Sequence, residues 1–234
     1  NVATRYKIDR KRQDAFARES HRRAVQSQKN DVFCSEIVAL ETPAGNVITA
    51  DECPRDDTSK EKLARLPPVF VAGGTVTAGN SCPLNDGAAI AVVTSRAHAR
   101  QCGTQSGLAF AGAATAGVAP DYLGIGPVPA TQKLLEKHPD VTLDAASIIE
   151  FNEAFAAQVL ASLDALKIDE ARVNRDGGAL ALGHPFGASG AILVTRIFHQ
   201  FRNKAASDND LALAMMGSGG GMGLSAAFRF TTFS

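Results

Sequence analysis

At 234 residues the chain suits one large domain or two small ones and can bury a sizeable core. Apolar residues make up 45% and charged residues 21%, and 24 Lys and Arg balance 24 Asp and Glu. That zero net charge gives nothing global to steer the chain to nucleic acid or an anionic membrane, and no apolar run reaches spanning length. Local basic density, Arg10-Lys11-Arg12 and Arg22-Arg23, reads as a solvated helix face. The four cysteines, Cys34, Cys53, Cys82 and Cys102, form no CxxC pair and no metal-ligand spacing. They predict a reduced, intracellular setting without a metal site; cytoplasm, mitochondrion and peroxisome are not distinguished. Asn1 to Tyr6 carry neither an initiator methionine nor an apolar signal core, so the chain reads as beginning within something longer.

In chain order, Asp9 to Gln28 reads as a helix capped by Asp9, with Ala15, Phe16, Ser20, Ala24 and Val25 as a modest stripe. Val32 to Leu40 is strand-like and returns through a turn at Thr42 to Gly45 toward Asn46 to Thr49. Ser59 to Arg65 is a short helix ended by Pro67-Pro68. Gly73 to Gly87 is a loop rich in small and hydroxyl residues, and a long loop of that kind in a compact protein is usually functional or disordered. Its lack of charge runs speaks against disorder. It leads into an apolar, strand-like run, Ala88 to Val93. Thereafter a helix at Ser95 to Gln101, a small-residue strand at Gly107 to Gly117 and a helix at Ala130 to Lys137 follow, the last opened by proline. Ser147 to Phe151 is a buried-strand pattern, Ala157 to Leu166 a helix, and a further helix from Ala191 runs to about Asn203. Strands at Asp210 to Met216 and Leu224 to Phe230 close the chain. This alternation predicts a layered α/β domain with a boundary near residue 87.

Three places carry the chemistry. Gly177 to Gly190 sets one imidazole, His184, among five glycines and a proline. Such a run suits backbone that must approach a ligand closely, or else a tight turn with a solvated histidine. Asn152 and Glu153 stand where a strand passes into a helix, a position at which α/β proteins place ligand contacts, although Asn152 also suits an N-cap. Gly217 to Gly223 holds five glycines in seven residues between two strands. Its unshielded amides suit a thioester carbonyl better than a phosphate, because no lysine or helix follows as a P-loop requires. Cys82 invites a nucleophile reading, but no neighbouring histidine or helix start lowers its pKa, which favours a lining role.

Asn152-Glu153-Ala154-Phe155-Ala156-Ala157-Gln158, Gly177-Gly178-Ala179 through Gly183-His184-Pro185, and Gly219-Gly220-Gly221-Met222-Gly223 resemble the thiolases in order and spacing. Gly74 to Asn80 with Asn85-Asp86-Gly87-Ala88 resembles the coenzyme A loop of that family. Gly79 to Asp86 is most similar to the degradative 3-ketoacyl-CoA thiolases. The resemblance covers nearly the whole chain and implies a thiolase-like layered α/β fold. Residues 1–86 would be the tail of the loop domain and residues 87–234 the C-terminal α/β domain. The N-terminal half, with the cysteine that carries the acyl group, would lie outside the chain.

By that resemblance the activity is acyl transfer between a 3-ketoacyl-CoA and coenzyme A, in fatty acid β-oxidation. Coenzyme A is then a substrate, with no covalently bound cofactor. Thiolysis expels an acetyl-CoA enolate, and His184 with a water held by Asn152 would donate hydrogen bonds to the thioester oxygen, while Glu153 orients them. Arg55 would face the nucleotide, and Leu66, Phe70, Ala78, Cys82 and Phe155 would line the pantetheine tunnel. The implied partners are the N-terminal half and further copies in a dimer or tetramer.

One departure stands out. The family's second cysteine falls at Gly217, and the alternative source of a thiol near Asn152 is Ala154. Neither has an acidic proton to exchange with the enolate. A non-catalytic, coenzyme A-binding subunit that completes a partner therefore stands beside the enzyme reading, as does a related acyl-transfer or condensing enzyme needing only the oxyanion hole.

Overall fold

Asp9 begins the longest helix by accepting the Arg12 amide at 2.8 Å, which satisfies one of the orphan donors of the first turn. The computed structural model describes residues 1–233. Its elements are α1 (Val2–Arg5), α2 (Arg10–Lys29), β1 (Leu40–Glu41), β2 (Val47–Ile48), α3 (Lys60–Ala64), α4 (Arg96–Gln101), β3 (Ser106–Gly117), α5 (Pro127–Lys137), β4 (Ala146–Phe151), α6 (Ala156–Leu166), α7 (Ala179–Leu182), α8 (Ser189–Asn203), β5 (Leu211–Ser218) and β6 (Met222–Thr232). They fall into two units. The first comprises Asn1–Gly87, Asn152–Ala161 and Asn174–Phe186; the second comprises Ala88–Phe151, Ser162–Val173 and the rest from Gly187.

The second unit is built on a four-stranded sheet in the order β3-β6-β5-β4. β4 and β5 run parallel, whereas β6 is antiparallel to both β5 and β3. Leu211 through Met215 are all buried, so β5 is covered on both faces, as strands reached by helical crossovers usually are. α8 packs on β4 and β5, and α5 on β3 and β6. Ile148, Leu193, Ile197, Phe201, Ala212, Ala214 and Phe230 form one apolar cluster there. At about 1.5–3 kcal/mol for each large side chain buried, this cluster contributes substantially to the stability of the unit.

The first unit has little sheet, and beside apolar residues such as Phe16, Leu63 and Leu160 it buries a set of polar groups bonded to one another. Asn80, fully buried, donates from its amide to Asp14 at 2.9 Å and accepts the Thr77 amide at 2.9 Å. Its own carbonyl accepts the Ala156 amide at 3.0 Å. Arg10 bonds the carbonyls of Leu63 and Leu66 at the end of α3 while paired with Asp14 at 2.7 Å. These contacts order the hydroxyl-rich loop, whose polar side chains face partners instead of solvent.

Two expected strands are not formed. Residues 32–37 coil through turns, because the amides of Val32, Cys34, Glu36 and Ile37 bond carbonyls at Ser27, Asp31 and Phe33; only Leu40–Glu41 pairs with β2. Residues 88–93 pair with no described strand, and Ile90, Val92 and Val93 are about nine-tenths exposed. An apolar run becomes a strand only where a neighbour takes its backbone bonds. Among the described residues no helix is long and apolar enough to cross a membrane, and no cluster of His, Cys, Asp and Glu is arranged to hold a metal ion.

Candidate active site

The imidazole of His184 and the side chain of Asn152 meet in the first unit, with Asn152 Nδ2 3.3 Å from His184 Nε2. Each is placed by a different piece of chain. Asn152 follows β4, is 2% exposed, and its carbonyl accepts from the side-chain Nε2 of Gln158, in the following helix, at 2.9 Å. This is a strand-to-helix junction, but Asn152 caps nothing; its side chain is turned to the histidine. His184 ends a tight passage after the single turn α7. Its amide donates to Asn85 Oδ1 at 2.9 Å. Gly183 before it has φ of +102°, and a Cβ there would stand 2.5 Å from the same Asn85 oxygen. Glycine is therefore required twice over at 183, by conformation and by space.

His184 is half-buried, and that burial holds its pKa below the ordinary imidazole value, so the ring is neutral at neutral pH. With Nε2 unprotonated, the Asn152 amide donates to it. Once Nε2 gains a proton, both nitrogens become donors, and an oxyanion placed between them could accept from both. Phe186, largely exposed, lies edge-on to the ring at 4.8 Å between centroids.

Glu153 is 1% exposed and faces away from this chemistry into a set of donors. Its Oε2 accepts from Ser20 Oγ at 2.6 Å and from the Leu180 amide at 3.1 Å, and its Oε1 accepts from Asn174 Nδ2 at 2.7 Å. Burial pushes its carboxyl pKa up, against the pull of Ser20, Asn174 and the Leu180 amide. A Cβ at Gly178 would lie 2.2 Å from the carboxyl carbon, so only glycine lets the backbone pass it.

Of the residues expected to line a pantetheine tunnel, Phe70 and Phe155 stack edge-on at 6.0 Å. The Cys82 amide bonds the carbonyl of Ala154, beside Phe155. Burial raises the Cys82 pKa, partly opposed by its backbone hydrogen bond, which disfavours a thiolate there. Leu66 lies against Gly79, next to Ala78. Arg55 is exposed, on a segment whose amide donates to His21 Nδ1 at 3.1 Å. Gly217 sits near the end of β5, paired with Gly223 of β6, in the second unit.

Ser20, Asn85 and Asn174 escaped the sequence reading as site residues. Ser20 had a usable signal, since a hydroxyl within a buried helix stripe needs a partner. Asn174 had none, because its left-handed φ of +47° is visible only in the fold.

A neutral imidazole and an asparagine amide converging on a glycine-braced turn describe a site fit to stabilise charge on a carbonyl oxygen. The thiolase C-terminal domain model matches residues 104–230, and the thiolase N-terminal domain model matches residues 1–97. The chain belongs to the thiolase family.

Among its relatives is a putative acetyl-CoA C-acetyltransferase, VraB, of Staphylococcus aureus, 42% identical over 228 residues. That match covers 97% of this chain and 58% of the relative. The crystal structure of the Bacillus anthracis acetyl-CoA acetyltransferase superposes with a TM-score of 0.93 at 38% identity, over 99% of this chain and 58% of that one. Human mitochondrial 3-ketoacyl-CoA thiolase gives 0.87 at 32% identity, again over 99% and 58%. The chain thus spans a little over half the length of the relatives it matches.

Proposed function

We propose that this chain forms part of an enzyme that transfers an acyl group between a 3-ketoacyl-CoA and coenzyme A. The observation that carries the reading is the 3.3 Å contact of Asn152 with His184. The nucleophile is a cysteine outside these residues. Its thiolate adds to the 3-keto carbon, the C2–C3 bond breaks, and the electron pair moves onto the thioester oxygen of the departing acetyl-CoA. Protonated Nε2 of His184 and a water on the Asn152 amide donate to that oxygen. The enolate then takes at carbon, by way of water, the proton that the cysteine thiol gave up, and the thiol of coenzyme A takes the acyl group while its own proton returns to the cysteine. Glu153 takes no part in proton transfer; its donors keep it in the scaffold. Leu66, Phe70, Ala78, Cys82 and Phe155 line the pantetheine path, Arg55 faces the nucleotide, and the working protein is a homo-oligomer.

The test is thiolysis of acetoacetyl-CoA and a longer 3-ketoacyl-CoA by the chain joined to the remaining part of a thiolase N-terminal domain. Activity is expected there and not with the chain alone. His184→Ala should lower kcat by about 10²–10³-fold, the usual loss for one oxyanion donor. Undetectable turnover in the combined protein sinks the enzyme reading.

Gly217 favours a second reading. It places no side chain where the family carries a proton-exchanging thiol, and Ala154 supplies none either. A coenzyme A-binding subunit without thiolysis would be recognised by coenzyme A affinity that persists in an inactive combined protein. An acyl-transfer enzyme that dispenses with the enolate would instead accumulate an acyl-cysteine without forming acetyl-CoA.

A further inference from the structure

We infer that Ser20 is a positioning residue for the His184–Asn152 pair, its one hydroxyl fastening together the two chain segments that carry them. Ser20 is 4% exposed on α2. Its oxygen accepts the Gly178 amide at 3.1 Å, and its proton goes to Glu153 Oε2 at 2.6 Å. Glu153 is the residue after Asn152. Gly178 opens α7, and that single turn runs directly into Gly183 and His184. The same carboxylate oxygen also holds the Leu180 amide, so both turns of the staple end on the segment leading to the histidine.

Asn174 completes the arrangement from the other side, giving its amide to Oε1 while its carbonyl accepts from Arg23 of α2 at 3.3 Å. The staple has no slack. A Cβ at Gly178 would meet all three carboxyl atoms within 2.4 Å, and one at Gly177, where φ is +94°, would meet Ala24 at 2.6 Å. Backbone pressed this closely onto α2 and Glu153 has one place to go, and a hydroxyl that both accepts and donates is what the junction requires. Nothing in Ser20 reaches the imidazole; it acts through Glu153 and Gly178.

The inference rests on the acyl-transfer reading of the pair, but its test reads geometry and not turnover. The chain is labelled with ¹³C at histidine Cε1, and the His184 signal is assigned by its loss in His184→Gln. Wild-type His184 should titrate below an ordinary imidazole, as half-burial dictates. In Ser20→Ala the ring should loosen toward solvent and its midpoint rise by about half a unit or more, with a shift of the Asn152 side-chain amide signal. Ser20→Thr, which keeps the hydroxyl, should restore both. An unchanged midpoint and amide signal in a folded Ser20→Ala chain, or no recovery in Ser20→Thr, overturns the inference. Should Ser20→Ala not fold, Asn174→Gly removes a donor to the same carboxylate while tolerating the left-handed backbone, and the same shift is expected. Absence of that shift, or unfolding of both variants, would make the network a stability element only and overturn the positioning role. Thiolysis assays fail or succeed independently of this outcome.

Discussion

The sheet of the second unit and the Ser20–Glu153–Gly178 junction of the first solve the same problem with opposite chemistry. In the sheet, Leu211, Leu213 and Met215 are buried among other apolar side chains, and backbone groups satisfy one another along the ladder. At the junction, Ser20, Glu153 and Asn174 are buried just as deeply, yet every contact described for them is a directed hydrogen bond. Apolar burial is tolerant of small displacements because it scales with area. A buried hydrogen bond is not, since a misplaced partner leaves the full cost of an unsatisfied group. The difference places geometric precision beside His184 and bulk cohesion in the sheet.

The sharpest way to break that contrast is to remove the central carboxylate and, separately, a sheet side chain. Glu153→Ala leaves the Asn174 amide, the Leu180 amide and the Ser20 hydroxyl without their acceptor, and should cost about 3–5 kcal/mol. Leu213→Ala, a void in an apolar interior, should cost about 2–5 kcal/mol. Similar totals should hide different maps. Amide exchange should accelerate at Gly178, Leu180 and along α2 in the first variant, and along β5 and β6 in the second. One uniform acceleration pattern shared by both variants would dissolve the distinction.

Next in size is Gly183→Ala. Backbone at φ of +102° is strained for any residue with a Cβ, at about 1–3 kcal/mol, and the methyl would also displace Asn85. The loss should appear in urea midpoints together with a moved His184 signal. A destabilised variant with an unmoved histidine would show that Asn85 does not brace it.

These two regions were also unequally legible in the sequence. β3, β4, β5, β6, α5 and α8 follow from apolar pattern, from Pro127 at a helix start and from glycine between strands, signals that are local. The Val32 to Leu40 and Ala88 to Val93 runs carried the same strand-like composition. They are not strands, because β structure depends on partners that composition does not report. At the site, His184, Asn152 and Glu153 stood out through the stretches shared with thiolases. Ser20 lies 133 positions from the carboxylate it touches, and no local pattern encodes a contact of that range. What the residues could tell was which groups are unusual; what they could not tell was which of them meet.

The smallest effect expected is a pH slope in the polar region. His21, on α2 one residue after Ser20, is 8% exposed and accepts the Arg55 amide at Nδ1. Burial, with the Arg55 cation nearby and Asp57 only partly offsetting it, holds its pKa at about 4, against an ordinary 6.5. The unfolded chain therefore takes up this proton first as the pH falls. His21 contributes its full stabilisation above pH 6.5 and loses it progressively as the pH falls through 6.5 toward 4. Glu153 slopes the other way, because its raised pKa favours the folded state at low pH and that contribution fades as the pH rises. Glu19, held at about 2 chiefly by its hydrogen bond to Arg22, changes mainly below pH 4.5 and stays outside the window. Comparing urea midpoints at pH 7 and pH 5 in wild type and in His21→Gln isolates the histidine. Wild type should lose roughly 1–2 kcal/mol more than the variant over that interval. Equal losses would mean that His21 is protonated in the fold without penalty, and that the segment it holds at Arg55 is not fastened by its neutral form.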